Sequence, residues 1–156
     1  MYKLTVDAFL IWLGETPLAT LIRNSLYPYA RAMHVGGAGI LFGSLAIFDL
    51  RILGRKSQVD IPVTKALTMG LVWSGFGLAI IGGLLLFSAQ PQALWENNAL
   101  RIKLCLLIIA GLNALLFEYN FLSVNSVSVL RFSASLSLTL WTAILICSAL
   151  IPYSVL

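Results

Sequence analysis

Four long apolar stretches, separated by short polar segments, constrain this chain more than any other feature of its sequence. They are residues 28–53, 62–88, 99–121 and 127–151. Each is long enough to cross a membrane as a helix, because a hydrocarbon core about 30 Å thick takes about 20 residues. Hydrophobic residues make up 60% of the 156 positions and charged residues only 10%, which is far from the composition of soluble domains. The sequence therefore predicts an all-α integral membrane protein.

The connections between the stretches are too short to form domains of their own. A connection this short turns the chain straight back, so neighbouring helices should run in opposite directions. Pro28 suits the first turn of a helix, while Gly54 and Pro152 suit helix ends. Asn97 suits the N-cap of the third helix. We predict an antiparallel four-helix membrane bundle over residues 24–156.

Residues 1–23 differ in kind from the spans, because charged side chains interrupt the apolar ones and leave no run long enough to cross a membrane. Apolar residues on one face predict an amphipathic helix that lies at the membrane interface. Thr16 and Pro17 predict a cap and a restart of the helix. A cleaved signal peptide is disfavoured, since Glu15 follows the apolar patch and no small-residue cleavage site comes after it.

The charged residues lie near the ends of the spans and form no basic run, so the net charge of +4 does not indicate nucleic-acid binding. We define side A as the face with both termini and the connection between the second and third spans, and side B as the opposite face. The close grouping of Arg51, Arg55 and Lys56 favours side B as cytoplasmic and both termini as periplasmic. The simple count is even: side A has Lys3, Arg23, Arg31, Arg101 and Lys103, and side B has Arg51, Arg55, Lys56, Lys65 and Arg131.

Small residues recur at four-residue spacing in every span. Within lipid such residues allow helix backbones to approach closely, so they predict packing faces. Four spans with small-residue faces exceed what one small bundle needs, which favours a larger complex or a homo-oligomer. The predicted faces are Gly39 and Gly43, then Gly75, Ala79 and Gly83, then Ala110 and Ala114, and finally Ser135, Thr139, Ala143 and Cys147.

His34 is the only histidine of the chain and lies below the side-A end of the first span. An intramembrane imidazole should face protein, because ring nitrogens directed at acyl chains would lack partners. Its partner should be a hydroxyl or carbonyl of another helix, a bound cofactor or a headgroup. As a cofactor ligand it would bind haem b, with Arg31 one turn earlier as a further binding residue, although a second histidine would have to come from elsewhere. We favour packing without a cofactor.

Cys105 and Cys147 lie at a depth similar to that of His34. Thiols and an imidazole together select copper(I) or zinc, so the three residues are candidate metal ligands if the helices turn them inward. The alternative is that both cysteines are ordinary small apolar residues of the packed spans. No motif with metal-ligand spacing decides between these interpretations.

A second polar group lies at the side-B ends of the first, third and fourth spans. Charged residues within spans usually pair with one another. We expect Asp49 to pair with Arg51 or Arg131, and Glu118 to pair with an arginine of this group. Such pairs would close the bundle at the interface, whereas a proton or ion pathway would require polar residues through the midplane, which the second span lacks.

Two segments resemble a known group of proteins: SLYPYARAMHVGGAGILFGSLAIFDLRILG, which contains His34, and NALRIKLCLLIIAGLNALLFE, which contains Asn113. Over residues 20–121 the chain resembles a family of small four-helix bacterial inner-membrane proteins that is defined only as a domain of unknown function. It is more distantly similar to the membrane module of CopD-type copper-resistance proteins. The resemblance implies a bacterial inner membrane and points toward metal or electron-transfer chemistry. This chain departs from the family pattern at two positions. The family often has an acidic residue where this chain has Arg31, and it can have histidine where this chain has Glu118.

Enzyme activity is not predicted. The sequence contains no Ser/His/Asp set, no clustered catalytic carboxylates and no phosphate-binding glycine loop beside a lysine. We predict a non-catalytic accessory or anchor subunit of a bacterial inner-membrane complex, in contact with lipid and with other subunits or further copies of itself. The alternative is a small haem- or copper-binding membrane protein that uses His34 in electron transfer or metal handling.

Overall fold

The computed structural model describes residues 2–54, 60–124 and 126–153, and all regular structure in these ranges is helical. Four helical segments are long and apolar enough to cross a membrane. The predicted all-α class and the four apolar helices are therefore confirmed. In chain order the α-helices are α1 (Tyr2–Glu15), α2 (Pro17–Leu21), α3 (Tyr27–Ile52), α4 (Ile61–Ala89), α5 (Pro91–Glu96), α6 (Asn98–Tyr119) and α7 (Val127–Leu150).

The long helices end where the sequence predicts, because local residues stop them. Gly54 follows α3 with a φ of 86°, a conformation that glycine adopts without strain. The side chain of Asn97 caps α6 by accepting a hydrogen bond of 3.0 Å from the backbone N–H of Leu100. Arg55 and Lys56, which belong to the predicted side-B charge cluster, lie outside the described residues.

The N-terminal segment divides at Thr16, as predicted. Its hydroxyl accepts a hydrogen bond of 3.2 Å from the backbone N–H of Ala19, and Pro17 begins α2. A π-helical turn over Ile22–Leu26 then joins α2 directly to α3. The first long helical segment thus runs from Pro17 to Ile52.

Arg23 lies in this π-helical turn and ties it to two neighbouring helix ends. Its Nε donates to the carbonyl oxygen of Ala89 at the end of α4, and its guanidinium also donates to the carbonyl oxygen of Gly14 at the end of α1, both at 2.8 Å. Carbonyls at a helix C-terminus have no partner within their own helix. Arg23 therefore joins α1 to the α3–α4 pair.

Helices α3 and α4 pack backbone against backbone through glycines. A Cβ on Gly37 would lie 2.5 Å from the backbone nitrogen of Ala79, and one on Gly82 would lie 2.6 Å from the backbone nitrogen of His34. Gly75 is equally close to Leu41. Residues later in α4 contact residues earlier in α3, so the two helices run in opposite directions along this seam.

The described chain uses only some of the predicted small-residue faces for its own packing. Gly75 is at the α3–α4 contact, but a Cβ on Gly39 or Gly43 would meet nothing within 4 Å. On α7 the buried residues include Ala134 and Leu140, whereas the predicted Ser135 and Thr139 are exposed. Four-residue spacing identifies a stripe on a helix, but several stripes exist on helices this rich in small residues, and spacing alone does not select one.

The second helix pair is α6 with α7. The side chains of Asn113 and Ser133 bond to each other across this pair, with the Ser133 hydroxyl 2.8 Å from Asn113 Oδ1. The Asn113 side-chain amide also donates to the Ser133 carbonyl oxygen at 3.0 Å. The pairs meet where α3 packs on α7, with Phe48 of α3 in a buried cluster with Phe117 and Leu130. In the described ranges α4 and α6 have no backbone contact of this kind.

Large apolar side chains cover the outward faces of all four long helices. Trp73, Leu115 and Phe132 are examples that are about two-thirds exposed. Soluble monomers rarely expose contiguous apolar surface on this scale, whereas lipid-facing helices do.

Candidate functional site

His34 points toward protein, as predicted, and contacts a carbonyl of another helix. Its Nδ1 lies 2.6 Å from the carbonyl oxygen of Ala79 on α4. The backbone of α4 can come this close because Gly83 has no side chain; a Cβ there would lie 3.1 Å from both Cε1 and Nδ1 of the imidazole. The glycines around His34 therefore set the position of its ring.

The second ring nitrogen contacts a charged residue. Nζ of Lys103, on α6, lies 3.3 Å from Nε2 of His34. A carbonyl oxygen accepts hydrogen bonds only, so Nδ1 carries the ring proton and Nε2 is left with a lone pair. An ammonium group donates only, so Lys103 donates to that lone pair. We call His34 and Lys103 the imidazole–ammonium pair.

Lys103 is only 9% exposed, which is rare for lysine. It lies five residues after the start of α6 at Asn98, about 8 Å along the helix axis at about 1.5 Å per residue. Cys147 of α7 is close enough to interact with it electrostatically. The imidazole–ammonium pair thus brings together α3, α4, α6 and α7 near their side-A ends.

The three predicted metal ligands are not gathered. Cys105 is exposed, Cys147 is half-buried near Lys103, and both thiols are free. Over the described residues no three His, Cys, Asp or Glu side chains are grouped so that they could hold a metal ion. Residues 105 and 147 share the depth of His34, but Cys105 points away because depth does not determine which way a side chain faces.

The geometry of His34 does not fit an axial ligand of haem b or a copper ligand. A ligating nitrogen must offer its lone pair to the metal. Nδ1 holds its proton toward Ala79, and the lone pair of Nε2 is directed at the Lys103 ammonium, whose charge would repel a metal cation. Arg31, the other predicted cofactor-binding residue, is exposed on α3.

The side-B polar group contains an ion pair, although its members differ from those predicted. Glu118 on α6 pairs with Lys65 on α4 rather than with an arginine, and both of its carboxylate oxygens lie 2.7 Å from Nζ. The same ammonium lies 4.5 Å from the centre of the Phe121 ring. Two long side chains thus bridge helices whose backbones do not pack.

Asp49 is buried in α3 at 4% exposure and does not pair with Arg51 or Arg131 as predicted. Ser137 of α7 interacts with its carboxyl group. The other oxygen, Oδ2, has no hydrogen-bond partner in the described part of the chain. The Arg131 guanidinium instead approaches Gly54. Asp49 therefore contacts α7 through a neutral hydroxyl.

A cavity of about 410 Å³ lies near this side-B group, and the described side chains that line it are apolar. The residues that line it are Ile52, Ile61, Pro62, Phe121, Val127 and Leu130.

Two residues of these sites escaped the sequence analysis, Lys103 as the partner of His34 and Lys65 as the partner of Glu118. Lys103 was counted only as a cation near side A. A signal for it was present, because it lies at nearly the same depth in its span as His34 does in the first. The rotation of α6 about its axis, which the sequence does not give, decides that position 103 faces His34 and position 105 does not.

Comparisons with protein-family models, with curated proteins and with solved structures give no match. The resemblance to small bacterial four-helix proteins and to CopD-type modules therefore stays a prediction.

Proposed function

We propose that this chain is a multi-pass protein of the bacterial inner membrane and serves as a non-catalytic accessory or anchor subunit. In this proposal the four long helices form an antiparallel bundle across the bilayer, and α1 lies at the interface. The bundle binds other helices, either of different subunits or of further copies of the same chain.

The observation that carries the proposal is a smooth face on α3 that the chain itself does not use. Gly36, Gly39 and Gly43 are three and four residues apart, so they lie along one side of the helix. A Cβ on any of them would meet nothing within 4 Å. Other glycines, Gly37 among them, already make the contact with α4. In lipid, a row of glycines allows another helix to pack closely, and it has no use against acyl chains.

The haem or copper alternative has less support, because both ring nitrogens of His34 are engaged within the chain. The side-B ion pair between Lys65 and Glu118 links α4 to α6 and needs no ligand. Binding to other helices uses the glycine face of α3, which takes part in neither of these contacts.

The test is the mass of the particle in native lipid. We expect the wild-type chain, extracted into native-lipid particles, to have a protein mass well above the 17.0 kDa of one chain. Gly39→Leu should reduce that mass to a single chain, because the isobutyl group would hold a partner helix away from α3. Gly111→Leu is the matched control, since Gly111 of α6 is equally free of contacts.

A wild-type chain that is a stable monomer in native lipid would overturn the proposal. So would a Gly39→Leu variant that keeps the full mass of the complex. Circular dichroism of both variants should show unchanged helix content, because a Cβ at either position meets no described atom within 4 Å.

A further inference from the structure

We infer that the imidazole–ammonium pair is a binding site for the anionic headgroup of a membrane lipid. The recognised group is an oxyanion, a phosphate or carboxylate, and Lys103 supplies the charge that binds it. The inference rests on the membrane insertion proposed above but not on the subunit role.

The first step is the charge of Lys103. A cation that is 91% buried among apolar helices loses its hydration, and hydrophobic surroundings do not replace that water, so a nearby anion would stabilise it. Among the described residues the salt bridge joins Lys65 to Glu118. It lies near the side-B ends of α4 and α6, whereas Lys103 lies near the side-A end of α6, so it does not neutralise the Lys103 ammonium. Cys147 also lies beside Lys103, but the sulfur of a thiol is only a weak hydrogen-bond acceptor.

The second step is that His34 orients the ammonium but does not neutralise it. The imidazole is a neutral acceptor here, and its own proton is held by Ala79. It takes one N–H of the ammonium, and no second hydrogen bond of Lys103 is present among the described residues. The remaining N–H donors are available for the oxygens of an anion, which is the partner that an ammonium binds best.

The third step is access. Helices α4 and α6 have no backbone packing in the described ranges and are joined at side B by the Lys65–Glu118 side chains. At side A the imidazole–ammonium pair links α6 to α3, and the same imidazole bonds to Ala79 of α4. The pair lies about 8 Å from the end of α6, a depth that a headgroup at the interface can approach.

The surroundings favour a lipid over a free ion. Ile102 and Leu104, which flank Lys103 in sequence, are about half exposed and apolar. An acyl chain can cover such side chains while its headgroup reaches the ammonium, whereas a free ion would have to give up its hydration beside them.

The chain's single histidine makes the site directly observable. We would label the full-length protein with ¹⁵N-histidine in phosphatidylcholine vesicles and record the two ring-nitrogen signals of His34. Replacing about one-fifth of the lipid with phosphatidylglycerol should shift the Nε2 signal. An anion that binds the Lys103 ammonium changes the hydrogen bond that this ammonium donates to Nε2. The Nδ1 signal, which reports the bond to Ala79, should change less.

Native mass spectrometry of the same protein measures the affinity. Lys103→Gln should lower phosphatidylglycerol affinity by about tenfold or more, which corresponds to the loss of one charge-assisted hydrogen bond. Lys103→Arg should retain binding because it keeps the charge. Lys65→Gln is the matched control, since it removes an intramembrane lysine that already has Glu118 as its partner.

Equal phosphatidylglycerol affinity in wild type and Lys103→Gln would overturn the inference. Inorganic phosphate added to pure phosphatidylcholine vesicles separates the two sources of an oxyanion: the same Nε2 shift with phosphate alone would overturn the assignment to lipid. The particle mass tests the subunit role independently, so a failure of either proposal can be recognised by itself.

Discussion

At the scale of single residues, Gly82 is one of the positions where the α3–α4 seam leaves no room for a side chain. A Cβ there would lie 2.6 Å from the backbone nitrogen of His34 and 2.9 Å from the carbonyl oxygen of Ala30. Backbone atoms cannot turn aside, so Gly82→Ala must push the helices apart. We expect a loss of about 1–3 kcal/mol in the free energy of unfolding, measured by titration with denaturing detergent.

Gly77→Ala is the control for this substitution, because a Cβ on Gly77 would meet nothing within 4 Å. It should leave stability unchanged or raise it by up to about 1 kcal/mol, since alanine is the better helix former. Equal stability of the two variants would contradict the close packing of α3 on α4.

Residue-scale prediction from sequence succeeded where only local chemistry was needed. That His34 faces protein follows from the cost of an unpaired ring nitrogen in an apolar environment, and the carbonyl of Ala79 is one of the partners that the sequence left open. The sequence did not predict that Lys103 is the second partner of His34 or that Lys65 is the partner of Glu118. Both pairs depend on how α4 and α6 are rotated and spaced. Those quantities come from the packing of whole helices, which a single sequence with many small residues does not determine.

At the scale of elements, the π-helical turn over Ile22–Leu26 presents Arg23 to two helix ends. Arg23→Gln should weaken its bonds to Ala89 and Gly14 and free α1 from α4. Because the Arg23 side chain is exposed, we expect only about 1 kcal/mol, or about fivefold faster amide exchange in α1. Hydrogen-exchange mass spectrometry measures this change.

Arg31→Gln provides the comparison, because Arg31 is exposed on the same side of the protein. It should leave exchange in α1 unchanged. Equal acceleration in both variants would mean that net charge, rather than the two carbonyl bonds of Arg23, holds α1 in place.

The caps at Asn97 and Gly54 could be predicted because they are local signals, whereas the helical turn over Asn120–Val124 that follows α6 was not. The join between α2 and α3 was not predicted. A π-helical turn accommodates one more residue per turn than an α-helix does, and no proline or glycine within 22–26 marks it.

At the scale of the whole molecule, the four predicted crossings fix the relative sides of the connections. We expect reporter fusions at Ser57, which lies outside the described residues, to be cytoplasmic. Fusions at Gln92 and at the C-terminus should be periplasmic, because each span reverses the side of the chain. Alkaline phosphatase and green fluorescent protein activities measure the two locations. Finding Ser57 and Gln92 on the same side would exclude the four-span topology.

The position of the two helix pairs in the chain also sets the order in which they can form during synthesis. The α3–α4 seam is made entirely of residues that precede position 90, and α6 begins only at Asn98. In the proposed membrane topology the first pair can therefore close while the second is still being translated, since chains emerge at about 5–20 residues per second. Before α7 is synthesised, Phe48 and Asp49 are uncovered, so the nascent chain exposes a carboxyl group that is buried in the folded protein. The last helix to be made is therefore the one that covers this carboxyl group.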